Sequence, residues 1–155
     1  MIVAMATKDA EERPTGLKAL LARAAAVVSR VTPDEACDLV GRGAVLVDIR
    51  SLEARERDGV VPGSVHIPLT VLHWRLDPDG ANRTPHVPVG SRIVLLCDHG
   101  CSSLLAAASL VEMGLDATDV IGGVEGWRAA GLPVAAAADA RLKPGELPGM
   151  RPAHG

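Results

Sequence analysis

Cys97 and Cys101 fall four residues apart in the segment Cys97-Asp98-His99-Gly100-Cys101-Ser102. A thiol is a strong nucleophile, but it reacts as the thiolate, so its surroundings decide whether it does chemistry. Cys97 closes the unbroken apolar run Ile93-Val94-Leu95-Leu96, and five residues later Ser102 opens a stretch of small and apolar residues of helical length. The connecting loop must double back tightly, and Gly100 helps it do so. In such a loop the backbone N–H groups, with the unpaired donors of a helix start, face inward and favour an anion. A thiol held there is drawn toward the thiolate, because the charged form gains hydrogen bonds that the neutral form does not. Placement therefore makes Cys97 a candidate nucleophile. The same placement also describes a buried structural cysteine at a strand end.

The elements around this loop follow from apolar periodicity. Ala44–Ile49 and Arg92–Cys97 are continuous apolar runs of strand length, as expected for strands buried on both faces of a parallel sheet. Val65–Pro68 reads as a short strand ended by its proline, and Val120-Ile121 as a further, minor one. Helices are predicted between them. One runs over Thr15–Arg30, with Leu17, Leu20, Leu21, Ala24, Val27, Val28 and Val31 at helical spacing. It would pack on its own domain or on a second copy, with a membrane surface the weaker option. A second begins at Thr32-Pro33-Asp34-Glu35, where Thr32 caps, Pro33 takes the first turn and Glu35 closes a capping box. This helix is expected to turn Ala36, Leu39 and Val40 inward and to bury Cys37. Ser51–Asp58, Leu69–Leu76, Ser102–Met113 and a short segment around Trp127 complete the set, with a surface loop over 77–90. Alternating strands and helices imply an α/β fold: an open, mostly parallel sheet with helices on both faces. In that architecture, chemistry gathers at the carboxyl ends of the strands.

Composition narrows the function. The 155 residues amount to one domain with short tails: an extension over 1–29, a domain over 30–135 and a disordered tail over 136–155. A net charge of −3 lacks the basic excess that nucleic acid would need, and two Trp with no Phe or Tyr make no base-stacking platform. No apolar run approaches the ~20 residues of a membrane span. Three Cys cannot build a disulfide scaffold. The opening Met1–Ala6 lacks a preceding basic residue, so no signal peptide is expected and the cytoplasm, where thiols stay reduced, is the expected location. Thirteen Arg against three Lys, with abundant Ala and Gly, suggest a GC-rich bacterial genome.

Four landmarks then occur in order: Leu46-Val47-Asp48-Ile49-Arg50, Val61–Pro68, Leu96–Ser103 and Gly122-Gly123-Val124-Glu125-Gly126-Trp127. Together they resemble the rhodanese-like sulfurtransferases, most of all the small single-domain bacterial members, over roughly residues 30–135. The resemblance implies that Cys97 is the catalytic cysteine and that Asp98, His99, Gly100, Cys101 and Ser102 complete its loop. It further implies that the thiolate takes a sulfane sulfur from thiosulfate or a persulfide, and that an acceptor thiol or cyanide removes it from a Cys97 persulfide. That sequence is ping-pong chemistry and needs no metal or organic cofactor. The rival reading is a non-catalytic or redox-sensing module that uses Cys97 and Cys101.

This chain departs from the family pattern in informative ways. Many members place Arg or Lys at the last loop position, where this chain has Ser102. Asp98 puts a negative charge beside the nucleophile, which repels a dianion such as thiosulfate and favours a neutral or thiol-bound donor. Val60 replaces a histidine common before the Pro-Gly turn, a residue that reads as structural. Cys101 admits two readings. As a resolving thiol it would attack the persulfide and leave a disulfide for thioredoxin or glutathione to reduce; as a variable loop position it would merely be filled by Cys, the plainer reading. Asp48 and Arg50 read as braces for neighbouring loops rather than catalytic groups. Arg75 is expected either to lean over the pocket and supply a cation or to pack on Trp74 at the surface. His66, His73, His86 and His99 lack metal-ligand spacing. A cysteine phosphatase would need Arg six residues after Cys97, where Ser103 stands. The sequence leaves monomer and homodimer both open.

Overall fold

Short aliphatic runs become the strands. In a computed structural model of the protein, which describes residues 14–138, strands β1 (Val45–Asp48), β2 (Val65–His66), β3 (Ile93–Leu96) and β4 (Ala117–Asp119) form one sheet in the order β2-β1-β3-β4. Every pairing is parallel. Asp48 is in register with both His66 and Leu96, and Leu95 with Asp119, so the carboxyl ends of all four strands finish at one edge. That edge carries the chemistry.

Helices α1 (Gly16–Val27), α2 (Pro33–Gly41), α3 (Leu52–Asp58), α4 (Leu72–Leu76), α5 (Ser102–Glu112) and α6 (Gly123–Ala129) surround the sheet. A single 3₁₀ turn, Leu69–Val71, leads into α4. Alternation along the central strand β3 feeds two cores. Ile93 and Leu95 face Ala24, Leu104 and Leu110 of α1 and α5, with Val28 just past α1, while Val94 and Leu96 face Ala36, Val124 and Trp127 of α2 and α6. Helices thus cover both faces, which is why β1 and β3 read as unbroken apolar runs.

The capping box at α2 is present as expected. Thr32 Oγ1 accepts from the Glu35 N–H at 3.2 Å, and Glu35 accepts from the Thr32 N–H at 3.1 Å. These bonds hold the Glu35 carboxyl below its usual range, the Thr32 backbone N–H first.

Four expectations are corrected. Cys37 is exposed rather than buried, because it sits about 100° round the helix from the buried Ala36 and outside the Ala36–Leu39 stripe. Val40 is 38% exposed for the related reason that the inward face of this short helix is narrower than its apolar composition. On α1, Ala19 and Ala24 are buried while Leu17, Leu20 and Val27 face outward. There the small residues let α1 approach α5, and Leu20 and Val27 line a shallow groove between the two helices. The last strand is Ala117–Asp119 rather than 120–121, with Val120 continuing only as a parallel bridge to Val31. Thr118 and Asp119 conceal this strand in the sequence because their polar groups are satisfied by tertiary partners.

The expected tail over 136–155 lies outside the described residues beyond 138. No helix among the described residues is long and apolar enough to cross a membrane.

Candidate active site

Cys97 is the first residue past β3 and is 6% exposed. Its Sγ accepts the Gly100 N–H at 3.1 Å and the Ser103 N–H at 3.4 Å. The second donor is one of the unpaired amides of the first turn of α5, so the anion-favouring loop expected from the sequence is present. Gly100 lets the loop close: its φ is +90°, and a Cβ there would stand 2.7 Å from the Gly122 nitrogen. The Gly122-Gly123 landmark meets the loop from the other side. Gly123 lies so close that a Cβ would collide with the Cys97 carbonyl oxygen, and Asp98 carbonyl carbon would be 2.6 Å away. The Val124 and Glu125 amides, at the start of α6, donate to the Cys97 and Asp98 carbonyls at 2.8 and 3.2 Å. Trp127 anchors α6 in the second core and donates from Nε1 to the Pro133 carbonyl at 2.9 Å.

A cavity of about 460 Å³ opens over the thiol, lined by Ile49, Pro68 and Leu69 on the apolar side and by Arg50, Asp98, Cys101 and Ser102 on the polar side. Cys101 and Ser102 are exposed at its rim, and Cys101 occupies the N-cap of α5. His99 also lines the cavity and pairs with Glu125 at 2.5 Å at the surface.

Asp48 is fully buried and is the hub of the neighbouring turn. Its Oδ1 accepts the Arg50 N–H and Nε–H, each at 3.0 Å, and its Oδ2 accepts Arg50 Nη2 at 2.8 Å. Arg55 Nε lies 3.3 Å from the same oxygen. Arg50 also donates to the Gly59 carbonyl at 2.8 Å and turns Nη1 toward Asp98, 3.9 Å away. Arg75 lies elsewhere: it is absent from the cavity lining, and its Nη1 reaches the Asn82 carbonyl at 3.4 Å.

Three residues at this site escape the sequence reading. Cys97 Sγ lies 3.3 Å from Ser103 Oγ, and Ser103 donates to the fully buried Asp119 Oδ2 at 2.7 Å. Arg30, between α1 and α2, forks onto both Asp119 oxygens at 2.9 Å and donates to the Gly100 carbonyl at 2.6 Å. These bonds to Asp119 raise Arg30 above the ordinary guanidinium value against the opposing effect of burial. The available signals were an acid inside a strand and a second serine at a helix start. Displacing the strand to 120–121 hid the first. Among the described residues, no group of three His, Cys, Asp or Glu side chains could hold a metal ion.

Known proteins resemble this chain in sequence and fold. Residues 32–130 match the Rhodanese-like domain family. The thiosulfate sulfurtransferase GlpE of Pseudomonas syringae is 37% identical over 100 residues, covering 64% of this chain and 86% of the relative. That of Actinobacillus succinogenes is 35% identical over 108 residues, covering 68% and 89%. Among solved structures, a protein of unknown function from Rhodopseudomonas palustris, described as a possible tyrosine phosphatase, aligns with a TM-score of 0.72 at 34% identity, covering 78% of this chain and 95% of that one. The present chain has Ser103 where phosphatase chemistry would place its arginine. A cysteine at the end of the central strand, a loop that offers its amides to sulfur, and matched relatives over most of their own length lead to one conclusion: the chain belongs to the rhodanese-like family of sulfurtransferases.

Proposed function

We propose that the protein moves a sulfane sulfur from donor to acceptor through a persulfide on Cys97. The observation that carries this reading is the Cys97 sulfur itself, buried at the floor of the cavity with the Gly100 and Ser103 amides directed at it. In the first half-reaction the Cys97 thiolate attacks the outer sulfur of the donor. A new S–S bond forms, the donor's own bond to that sulfur breaks, and the leaving group departs with the electron pair as sulfite or a thiolate. In the second, an acceptor thiolate or cyanide attacks the outer sulfur and Cys97 leaves as thiolate. The same two amides stabilise negative charge on Cys97 when it departs. No external oxidant or reductant enters.

Asp98 and the apolar wall of Ile49, Pro68 and Leu69 favour a thiol-bound donor over the thiosulfate dianion. Asp98, His99, Gly100, Cys101 and Ser102 form the active-site loop, with Asp48 and Arg50 as its braces; Arg75 has no part in this reading. Cys101, at the rim of the same cavity, supports a resolving role: its thiolate attacks the inner sulfur, hydrosulfide leaves, and the resulting Cys97–Cys101 disulfide is reduced by glutathione or a thioredoxin-type dithiol. The cytoplasm supplies such reductants.

The test is intact mass spectrometry after separate incubation with thiosulfate, 3-mercaptopyruvate and glutathione persulfide. Wild type should gain one sulfur from at least one donor, and Cys97→Ser from none. If no donor loads the wild type, the reading fails. The Cys101→Ala variant should hold its persulfide longer, whereas an unchanged lifetime removes the resolving role.

A further inference from the structure

Four residues close a ring with the nucleophile. Gly100 donates its N–H to Cys97 Sγ, and its carbonyl accepts from Arg30. Arg30 grips Asp119 through both carboxylate oxygens. Asp119 accepts the hydroxyl of Ser103, and Ser103 Oγ faces Cys97 Sγ again. Hydrogen bookkeeping fixes the direction of the last link. An ionised carboxylate only accepts, so the single hydroxyl hydrogen of Ser103 lies on the 2.7 Å bond to Asp119. Ser103 therefore presents lone pairs, not a hydrogen, to the sulfur 3.3 Å away. That arrangement accepts a thiol hydrogen and repels a thiolate.

We propose that Asp119, braced by Arg30, is a positioning residue that acts through Ser103 to favour the thiol of Cys97 over its thiolate. The proposal rests on Cys97 being the nucleophile. The two amides draw the sulfur toward the anion, and the oriented hydroxyl opposes them. Arg30 is needed because Asp119 is fully buried, where a carboxylate without a partner is strongly disfavoured. The acidity of the nucleophile is thereby set partly from β4 and from the segment joining α1 to α2. Other charged or titratable groups line the cavity over the sulfur: Asp98, His99 and Cys101 from its own loop, and Arg50 from the end of β1. All of these stay unchanged in the variants below.

The experiment measures the pH midpoint of iodoacetamide alkylation at Cys97, located by fragment ions so that Cys101 is read separately. It needs no sulfur transfer, so its failure is distinct from failure of the persulfide reading. Ser103→Ala removes the acceptor and leaves the Asp119–Arg30 pair in place; the midpoint should fall by up to about one pH unit, the scale of one hydrogen bond between neutral groups. Ser103→Thr restores a hydroxyl and should return the midpoint to the wild-type value. Asp119→Asn should lower the midpoint when Ser103 is present and have far less effect in the Ser103→Ala background. A midpoint that rises or stays put in Ser103→Ala overturns the proposal, because the hydroxyl would then be serving the thiolate or nothing. An Asp119→Asn effect of equal size in both backgrounds also overturns it, because Asp119 would then act without Ser103. If Asp119→Asn does not fold, the sign of the shift in Ser103→Ala decides alone.

Discussion

Asp98 carries its carboxylate to 3.9 Å from the Arg50 guanidinium while 40% of the side chain stays in solvent. Arg50 is committed to Asp48 and to the Gly59 carbonyl, so little of its charge is left to attract an anionic donor while Asp98 stands in front. Replacing Asp98 by Asn removes a repulsion and uncovers a cation in one step. Loading of Cys97 from thiosulfate should then rise roughly fivefold relative to glutathione persulfide, about 1 kcal/mol for charges in a partly solvated site. Competition between the two donors, read by mass, measures this. An unchanged ratio would show that Asp98 does not select the donor. At this scale the sequence was a good guide to the nucleophile and a poor one to its neighbours. Cys97 and its loop are contiguous, so their relation is local. Ser103, Asp119 and Arg30 come from three separate segments, and only the fold brings them together.

The elements hold the loop from both ends. β3 delivers Cys97, α5 supplies the Ser103 amide, and α6 receives the Cys97 and Asp98 carbonyls on its first amides. Gly123 is the tightest point of that joint, with φ at +60° and no room for a side chain against Cys97. Gly123→Ala should therefore cost about 3 kcal/mol or more in urea unfolding, as expected where a positive φ and a backbone clash coincide. It should also slow persulfide formation, because the loop must shift to relieve the clash. Wild-type stability in that variant would mean that the loop and α6 are not rigidly joined. The Gly-Gly pair and the tryptophan after it were visible as a landmark, but the reason for them was not. A glycine needed for close approach looks the same in sequence as one needed for a turn. The capping box of α2 was readable in full because all its groups lie within four residues. The outward side of Cys37 was not, because nothing local says which part of a short helix meets the sheet.

At the scale of the molecule, β3 is the keel of two cores. Leu95 and Leu96 are both fully buried, one against α1 and α5 and the other against α2 and α6. Leu95→Ala and Leu96→Ala should each cost about 3 kcal/mol, the usual loss for truncating a buried leucine. Comparable urea-unfolding losses would reflect a sheet covered on both sides; a near-neutral result for either would mean that its face is loosely packed. By itself the sequence determined the layered α/β plan, the place of Cys97 at a strand end and the loop that follows, since periodicity and turn chemistry act between near neighbours. Only the tertiary structure decided which faces are buried, where the polar strand β4 lies, and that Arg30, Asp119 and Ser103 meet beside the sulfur. Those facts depend on segments up to 89 residues apart, and their hydrogen bonds exist only once the chain has folded.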